Sequence, residues 1–357
     1  MSILLFLILV VIFIWAVGLF YLKGPDLSAY DTVADPNAIV SFSKLDGPSA
    51  GHAQAVASLN QFQSDAEGLS RKARLAFMRQ YLDDQGRKRE YSCEFRPVDA
   101  GGVPAEWVLA DGADGSRRFL YIHGGAFIGG SPLSHRNITS QLAERCRAAV
   151  LSIDYRLMPE HRRIDGIEDC RTAYRWILEN GPDGPQPLQH LVIGGDSAGG
   201  NLSLSLSAWV RDQGMRAPDA VVAFSPTVDG TFSGPSVSTN LESDIMLGPL
   251  FSALLKIPLP LRNWVYVLQH RHHPSNPLVS PIFGDLAGLP PTLIQVSEAE
   301  MLLDDARRYV NKARVSGTRA VAQSWAHMLH VWQIFYPEVR EADEAFDEVR
   351  KFVESTG

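Results

Sequence analysis

Apolar and polar positions divide the chain into three regimes. The first is residues 3–22, ILLFLILVVIFIWAVGLFYL, an apolar run of twenty residues without a charge. Coiled as a helix, such a run reaches about 30 Å, one hydrocarbon thickness. It predicts a single uncleaved membrane span, with Trp15 and Tyr21 suited to an interface. A cleaved signal is the rival reading and would make the product secreted or periplasmic. No Lys or Arg precedes the run, however, and Ala16-Val17-Gly18 is a weak cleavage sequence. Lys23 is the only basic residue nearby, so the pattern leaves open which side of the membrane holds the rest.

The second regime starts with a polar exit, residues 23–37. Residues 50–85 follow, rich in Ala, Leu, Gln and Arg and predicted to be helical with breaks at Gly51 and Gly68. Residues 41–49, SFSKLDGPS, carry no recognisable motif. The third regime begins near Tyr91, where short continuous apolar runs alternate with helical stretches. RRFLYIHGG, AVLSIDYRL, HLVIGGDS, AVVAFSP and PTLIQVSE read as strands. HRNITSQLAERCR, GIEDCRTAYRWILEN, SAGGNLSLSLSAWVRDQG and LLDDARRYVNKARVSG read as helices. That alternation predicts an α/β fold, a mostly parallel twisted sheet with helices on both faces. The alternation lapses from Thr227 to Pro290, where an insertion at the strand ends would lie over a site as a lid. The last stretch, VWQIFYPEVREADEAFDEVRKFVEST, reads as one long amphipathic helix. The expected division is an anchor over 1–23, cap helices over 24–90 and an α/β domain over 91–357 with a cap insertion at about 227–275.

Composition narrows the chemistry. With 357 residues, 45% hydrophobic and 20% charged, the chain is long and apolar enough for a sizeable core. A net charge of −7 and the absence of a long basic run exclude nucleic acid as the expected partner. Cys93, Cys146 and Cys170 match neither a zinc pattern nor a disulfide framework. The HRHH stretch, 270–273, has no carboxylate or thiol at useful spacing and reads as a solvated cap loop, so neither metal nor cofactor is expected. A homodimer is compatible with all of this.

The chemistry concentrates where a strand hands over to a helix, at GGDSAGGN, residues 194–201. Gly195-Asp196-Ser197-Ala198-Gly199 is a G-x-S-x-G turn, and its setting makes it a nucleophile elbow with Ser197 at the tip. A hydroxyl needs a base and a place for developing negative charge. The HGGAF loop, residues 123–127, follows another strand and offers the amides of Gly124 and Gly125 for that charge, together with that of Ala198. His123 is expected to brace the loop. Two histidines in WAHMLHVW, His327 and His330, are candidate bases; His330 lies where the last strand hands over to a helix and is selected. After PTLIQVS the candidate acids are Glu298, Glu300, Asp304 and Asp305. Asp304 and Asp305 begin a helix and Glu298 ends a strand, which leaves Glu300 in the loop as the group that orients the imidazole.

HGGAFIGG, DYRLMPEH, GGDSAGGN, NPLVSPIFGDLAGLPPTLI and MLHVW together resemble the hormone-sensitive-lipase family of α/β-hydrolases, bacterial esterase family IV, over residues 119–330. The resemblance implies an α/β-hydrolase fold capped by N-terminal helices and a late insertion. It also implies metal-free hydrolysis of carboxylic esters with short or medium acyl chains. By position it makes Ser197 the nucleophile, His330 the base, Glu300 the acid, and Gly124, Gly125 and Ala198 the oxyanion hole. Tyr155, Arg156 and Glu160 correspond to a structural element beneath the site. The chain departs from the family pattern in having Glu where the acid is usually Asp, and in RRIDGIEDC after PEH. The expected protein is a membrane-anchored serine carboxylesterase in lipid metabolism, acting on small-molecule esters. Lactone hydrolysis or arylacetamide-type deacetylation would use the same triad, and a non-catalytic binding protein on this fold is the reading from another class.

Overall fold

The computed structural model describes residues 3–32, 35–42 and 47–357; residues 43–46, in the stretch without a motif, lie outside them. The apolar run forms α1 (Ile3–Ala16), continued through a π-helical turn at Val17–Tyr21. A short strand β1 (Ile39–Ser41) precedes α2 (Ala50–Asp65) and α3 (Arg71–Arg87). Then come β2 (Glu94–Asp99), β3 (Pro104–Leu109), β4 (Asp114–Ile122), α4 (Arg136–Cys146), β5 (Ala148–Ile153) and α5 (Arg163–Glu179). The two-residue strands β6 (Asn180–Gly181) and β7 (Gly184–Pro185) form a separate hairpin before β8 (His190–Asp196), α6 (Ala198–Asp212) and β9 (Ala220–Phe224). Three helices interrupt the alternation: α7 (Ser236–Thr239), α8 (Gly248–Leu255) and α9 (Leu259–His270). The chain finishes with β10 (Thr292–Ser297), α10 (Leu303–Val315), β11 (Ala320–Trp325) and α11 (Arg340–Glu354).

Among the described residues, nine strands make one sheet in the order β1-β11-β10-β9-β8-β4-β5-β3-β2. The sheet is parallel from β1 to β5; β3 alone is reversed, pairing antiparallel with β5 on one side and β2 on the other. Successive side chains of a strand face opposite sides. Leu120 and Ile122 of β4 accordingly join the core beneath α5, α6 and α10, while Phe119 and Tyr121 join the core beneath α4 and α11. Both faces are covered, so the strands need no polar alternation, as their apolar runs predict. The register pairs Ile122 with Gly195 and Asp196 with Phe224. The ends of β4, β8 and β9 therefore lie side by side, and their loops leave from one edge.

Two expectations are corrected. Residues 24–90 are not cap alone, because Ile39–Ser41 extends the sheet beside β11 and Leu27 and Ala38 are buried in the core. The terminal helix is shorter than its pattern suggests. A 3₁₀ turn at Trp332–Phe335 comes first and α11 starts only at Arg340, beyond Pro337, whose ring and missing N–H cannot continue a helix.

Arg118 lies within β4, the strand that leads into the HGGAF loop, and is fully buried. Its guanidinium donates to the carbonyls of Gly115, Ile177 and Gln186 at 2.8, 2.8 and 2.6 Å. Arg118→Met would keep the bulk but leave these carbonyls unpaired, and is expected to cost about 3 kcal/mol in the urea-unfolding free energy.

Candidate active site

Strand β8 ends at Asp196 and α6 begins at Ala198, so Ser197 alone makes the turn, with φ +51° and ψ −113°. A non-glycine residue held there is strained, and the surroundings must enforce it. They do so by close packing. A Cβ on Gly195 or Gly199 would overlap the Ile122 carbonyl at the end of β4. The Ser197 amide donates to the Phe224 carbonyl at 2.7 Å, which fixes the other side of the turn.

The expected side chains converge on this elbow. Ser197 Oγ lies 2.9 Å from His330 Nε2, and His330 Nδ1 lies 2.5 Å from Glu300 Oε2. His330 and Glu300 are both buried. The second Glu300 oxygen accepts the Ser297 amide at 2.8 Å, and Ser297 Oγ donates to the Met328 carbonyl at 2.6 Å. The acid loop and the histidine loop are thereby tied to one strand end. Burial alone would lower the His330 pKa, but the hydrogen bond and charge of Glu300 reverse this and hold it above its ordinary value. The other candidates stand apart. His327 is exposed. Glu298 accepts from Ser324 Oγ at 2.8 Å. Asp304 and Asp305, at the start of α10, accept the amides of Ser236 and of Val228 and Asp229.

The oxyanion loop differs from expectation at one residue. The Gly124 amide donates to Asp196 Oδ1 at 2.9 Å, so it is committed and is withdrawn as an oxyanion donor. The amides of Gly125 and Ala126, in the left-handed turn that follows, have no recorded acceptor among the described residues. Ala198, first residue of α6, likewise has an amide with no partner inside its helix. Gly125, Ala126 and Ala198 are therefore the free donors near Ser197. A pattern reading cannot tell which of two adjacent glycines is already bonded.

Asp196, the acid inside the elbow motif, explains the loop's position. It is buried and accepts from Tyr121 Oη at 2.6 Å, from the Gly124 amide, and from His135 Nε2 at 3.2 Å. Burial favours the neutral acid, but His135 and the Tyr121 hydrogen bond outweigh it and keep the carboxyl below its ordinary range. His123 does brace the loop. It stacks on Tyr155 with centroids 4.4 Å apart, and its Nδ1 lies 2.8 Å from the Gly124 carbonyl. Burial pushes its pKa down to about 3, so it carries no charge. Tyr155 Oη donates to the His123 carbonyl at 3.0 Å, and Arg156 pairs with Asp169.

Three further contributors escaped the sequence reading. Arg79 of α3 donates to the Ile128 carbonyl at 2.7 Å and pairs with Glu160 at 2.8 Å, strapping the loop from outside. Arg163, in the segment that departs from the family pattern, lies buried with its guanidinium carbon 3.2 Å from the Phe127 ring centroid. Its Nη2 donates to Asn201 Oδ1 at 2.6 Å. His270 packs edge-on to Phe127 at 6.1 Å, and burial, then Arg163, pushes its pKa down to about 3. HRHH is thus not a solvated loop: His270 is core, and His273 Nε2 lies 2.9 Å from the Tyr21 carbonyl. None of these residues has a motif, because their partners are remote in sequence.

A parallel sheet with a serine elbow at the end of a central strand, faced by a histidine from a later loop, defines the α/β-hydrolase class. Comparison with known proteins agrees: residues 119–334 match a family model described as alpha/beta hydrolase fold. An acetyl-hydrolase of Streptomyces hygroscopicus is 37% identical over 256 residues, covering 72% of this chain and 81% of the relative. The carboxylesterase/phospholipase LipF of Mycobacterium tuberculosis is 34% identical over 265 residues, 72% of this chain and 68% of LipF. A crystal structure of an esterase from the bacterial hormone-sensitive lipase family superposes with a TM-score of 0.75 at 32% identity, covering 87% of this chain and 99% of the other. The chain belongs to the hormone-sensitive-lipase-like α/β-hydrolases.

The imidazole must be neutral to take a proton, and its pKa is raised, so kcat/KM falls as pH drops through a value above the ordinary 6.5 of histidine. In Glu300→Gln the acid limb moves down in pH while kcat falls by about 10⁴-fold. Asp196→Asn replaces one carboxylate oxygen of the loop clamp with an amide group; kcat should fall by roughly 10- to 100-fold with little change in KM, as steady-state kinetics would read.

Proposed function

We propose that this chain is a serine carboxylesterase held at a membrane by its N-terminal helix. The observation that carries the reading is the continuous line from Ser197 through His330 to Glu300, at 2.9 and 2.5 Å, beside amides with no partner among the described residues. Ser197 attacks the ester carbonyl as His330 Nε2 takes its proton, and Glu300 stabilises the imidazolium. The tetrahedral oxyanion is received by the amides of Gly125, Ala126 and Ala198. His330 then protonates the departing alkoxide. A water, deprotonated by the same imidazole, hydrolyses the acyl-enzyme and restores the hydroxyl. Every proton moves through one imidazole, so neither metal nor cofactor enters the scheme. The relatives named acetyl-hydrolase and carboxylesterase/phospholipase support ester hydrolysis; the substrates proposed are esters with short to medium acyl chains, and lactones or aryl amides would meet the same groups.

The helix Ile3–Tyr21 supports the anchor: nineteen apolar residues, with its most hydrophobic window only 6% buried against the protein. Residues 227–275, with α8 and α9, and the helices α2 and α3 form the cap. Gln63 of α2 donates to the Ile245 carbonyl at 2.8 Å, which joins its two parts.

The protein should hydrolyse p-nitrophenyl butyrate and take up a fluorophosphonate at Ser197. Ser197→Ala should lower kcat by at least about 10⁴-fold and abolish labelling; unchanged turnover in that variant would refute the assignment.

A further inference from the structure

The anchor does not hang free of the catalytic domain. Its last turns dock on α9, the helix of the cap that also reaches the active site. Gly18 is the buried residue of the π-helical turn, and a Cβ there would lie 2.5 Å from the Pro260 carbonyl oxygen. Only glycine lets the two backbones approach this closely. Leu22 donates its amide to Val17, leaving the Gly18 carbonyl outside the helix ladder. Asn263 Nδ2, buried, fills that place at 3.0 Å. Trp264 Nε1 donates to the Ile14 carbonyl at 2.9 Å, one turn further up the anchor.

The opposite end of α9 touches the catalytic loops. Tyr266 and His270 pack with ring centroids 4.2 Å apart, and His270 meets Phe127 of the oxyanion loop. From Pro260, against the anchor, to His270, against that loop, is ten residues of helix, about 15 Å.

Between these ends the outer face of α9 is apolar and uncovered. Leu261, Val265 and Leu268, spaced i, i+4, i+7, are 38–63% exposed, and Leu250 of α8 is 59% exposed. A stripe of this spacing is normally buried. It sits on the same helix that packs against the anchor through Pro260, Asn263 and Trp264.

We infer that the outer face of α9 is a membrane-contact surface: Leu261, Val265 and Leu268, locked to the anchor through Gly18 and Asn263, rest in the same bilayer leaflet and bring the catalytic serine within reach of esters dissolved in that leaflet. The inference rests on reading Ile3–Tyr21 as a span. It names the substrate class as amphiphilic esters whose acyl chains partition into lipid. The bilayer is favoured over a second copy of the chain because the anchor already occupies the adjoining surface of α9, and an amphipathic helix beside a span lies in the interface plane.

The native cysteines are buried, so a thiol-reactive fluorophore can be placed selectively on the full-length protein. Leu9→Cys reports the span, Val265→Cys and Leu268→Cys report the cap face, and Asp212→Cys is a control on the catalytic domain. Each labelled protein is reconstituted into phosphatidylcholine vesicles containing nitroxide-bearing lipid. Quenching at 9, 265 and 268 but not at 212 is the expected result. Quenching at 9 with 265 and 268 no different from 212 overturns the inference and leaves the span standing. No quenching at 9 removes the span and the inference with it. Self-quenching at 265 that rises with protein-to-lipid ratio in nitroxide-free vesicles assigns the face to a second copy and also overturns it. In the kinetic arm, Val265→Asp with Leu268→Asp should lower hydrolysis of vesicle-borne p-nitrophenyl decanoate by about tenfold, keeping hydrolysis of soluble p-nitrophenyl butyrate within about twofold. Equal loss on both esters counts against the inference. Failure of the esterase reading would look different, with neither ester cleaved by the unaltered protein while lipid quenching persists.

Discussion

The Ile122 carbonyl, at the end of β4, leaves no room for a side-chain carbon at either 195 or 199. That steric constraint forces the chain through the elbow and obliges Ser197 to take a left-handed conformation. It brings the first amide of α6 against the loop that leaves β4. Had either glycine a methyl group, the strand and helix would separate, and the hydroxyl and the amides would no longer face one volume. Catalytic geometry here is a consequence of backbone packing, with hydrogen bonds trimming what packing has set.

Burial does the remaining work. Glu300, His330 and Asp196 are all buried, yet each charge or potential charge has a partner. In a low-dielectric site such pairs act more strongly than they would in water, and reorganise less. The two acids have separate tasks. Glu300 holds the imidazole beside Ser197, whereas Asp196 holds the loop of Gly125 and Ala126 through the Gly124 amide. Placing one on each side of the nucleophile lets the loop be clamped without disturbing the base.

The fold class was legible because its strands are continuous apolar runs, a pattern that only a sheet covered on both faces requires. The convergence of Ser197, His330 and Glu300 was legible because G-x-S-x-G, a late histidine and a loop acid each lie at the end of a recognisable strand. What escaped depends on contacts across the sequence. The commitment of the Gly124 amide to Asp196 is invisible in HGGAF. The strand at Ile39–Ser41 is three residues long and isolated, too short to show a period, and pairs only because β11 offers an open edge. The terminal helix was overextended because apolar positions on both sides of Pro337 fit one amphipathic pattern, although proline interrupts it. His270 read as part of a solvated loop and Arg163 as no more than a departure from the family pattern, because polar side chains give no sequence sign of being folded inward onto an aromatic ring.

Arg79 lies outside the strand-and-helix alternation that defines the hydrolase, yet it grips the Ile128 carbonyl and Glu160 together. The stiffness of the anion-receiving turn is thus borrowed from a peripheral helix. In related chains whose leading segment has drifted in length or angle, turnover could diverge while every residue of the triad stayed the same. The N-terminal helices would then act as a dial on rate, set apart from the machinery they tune.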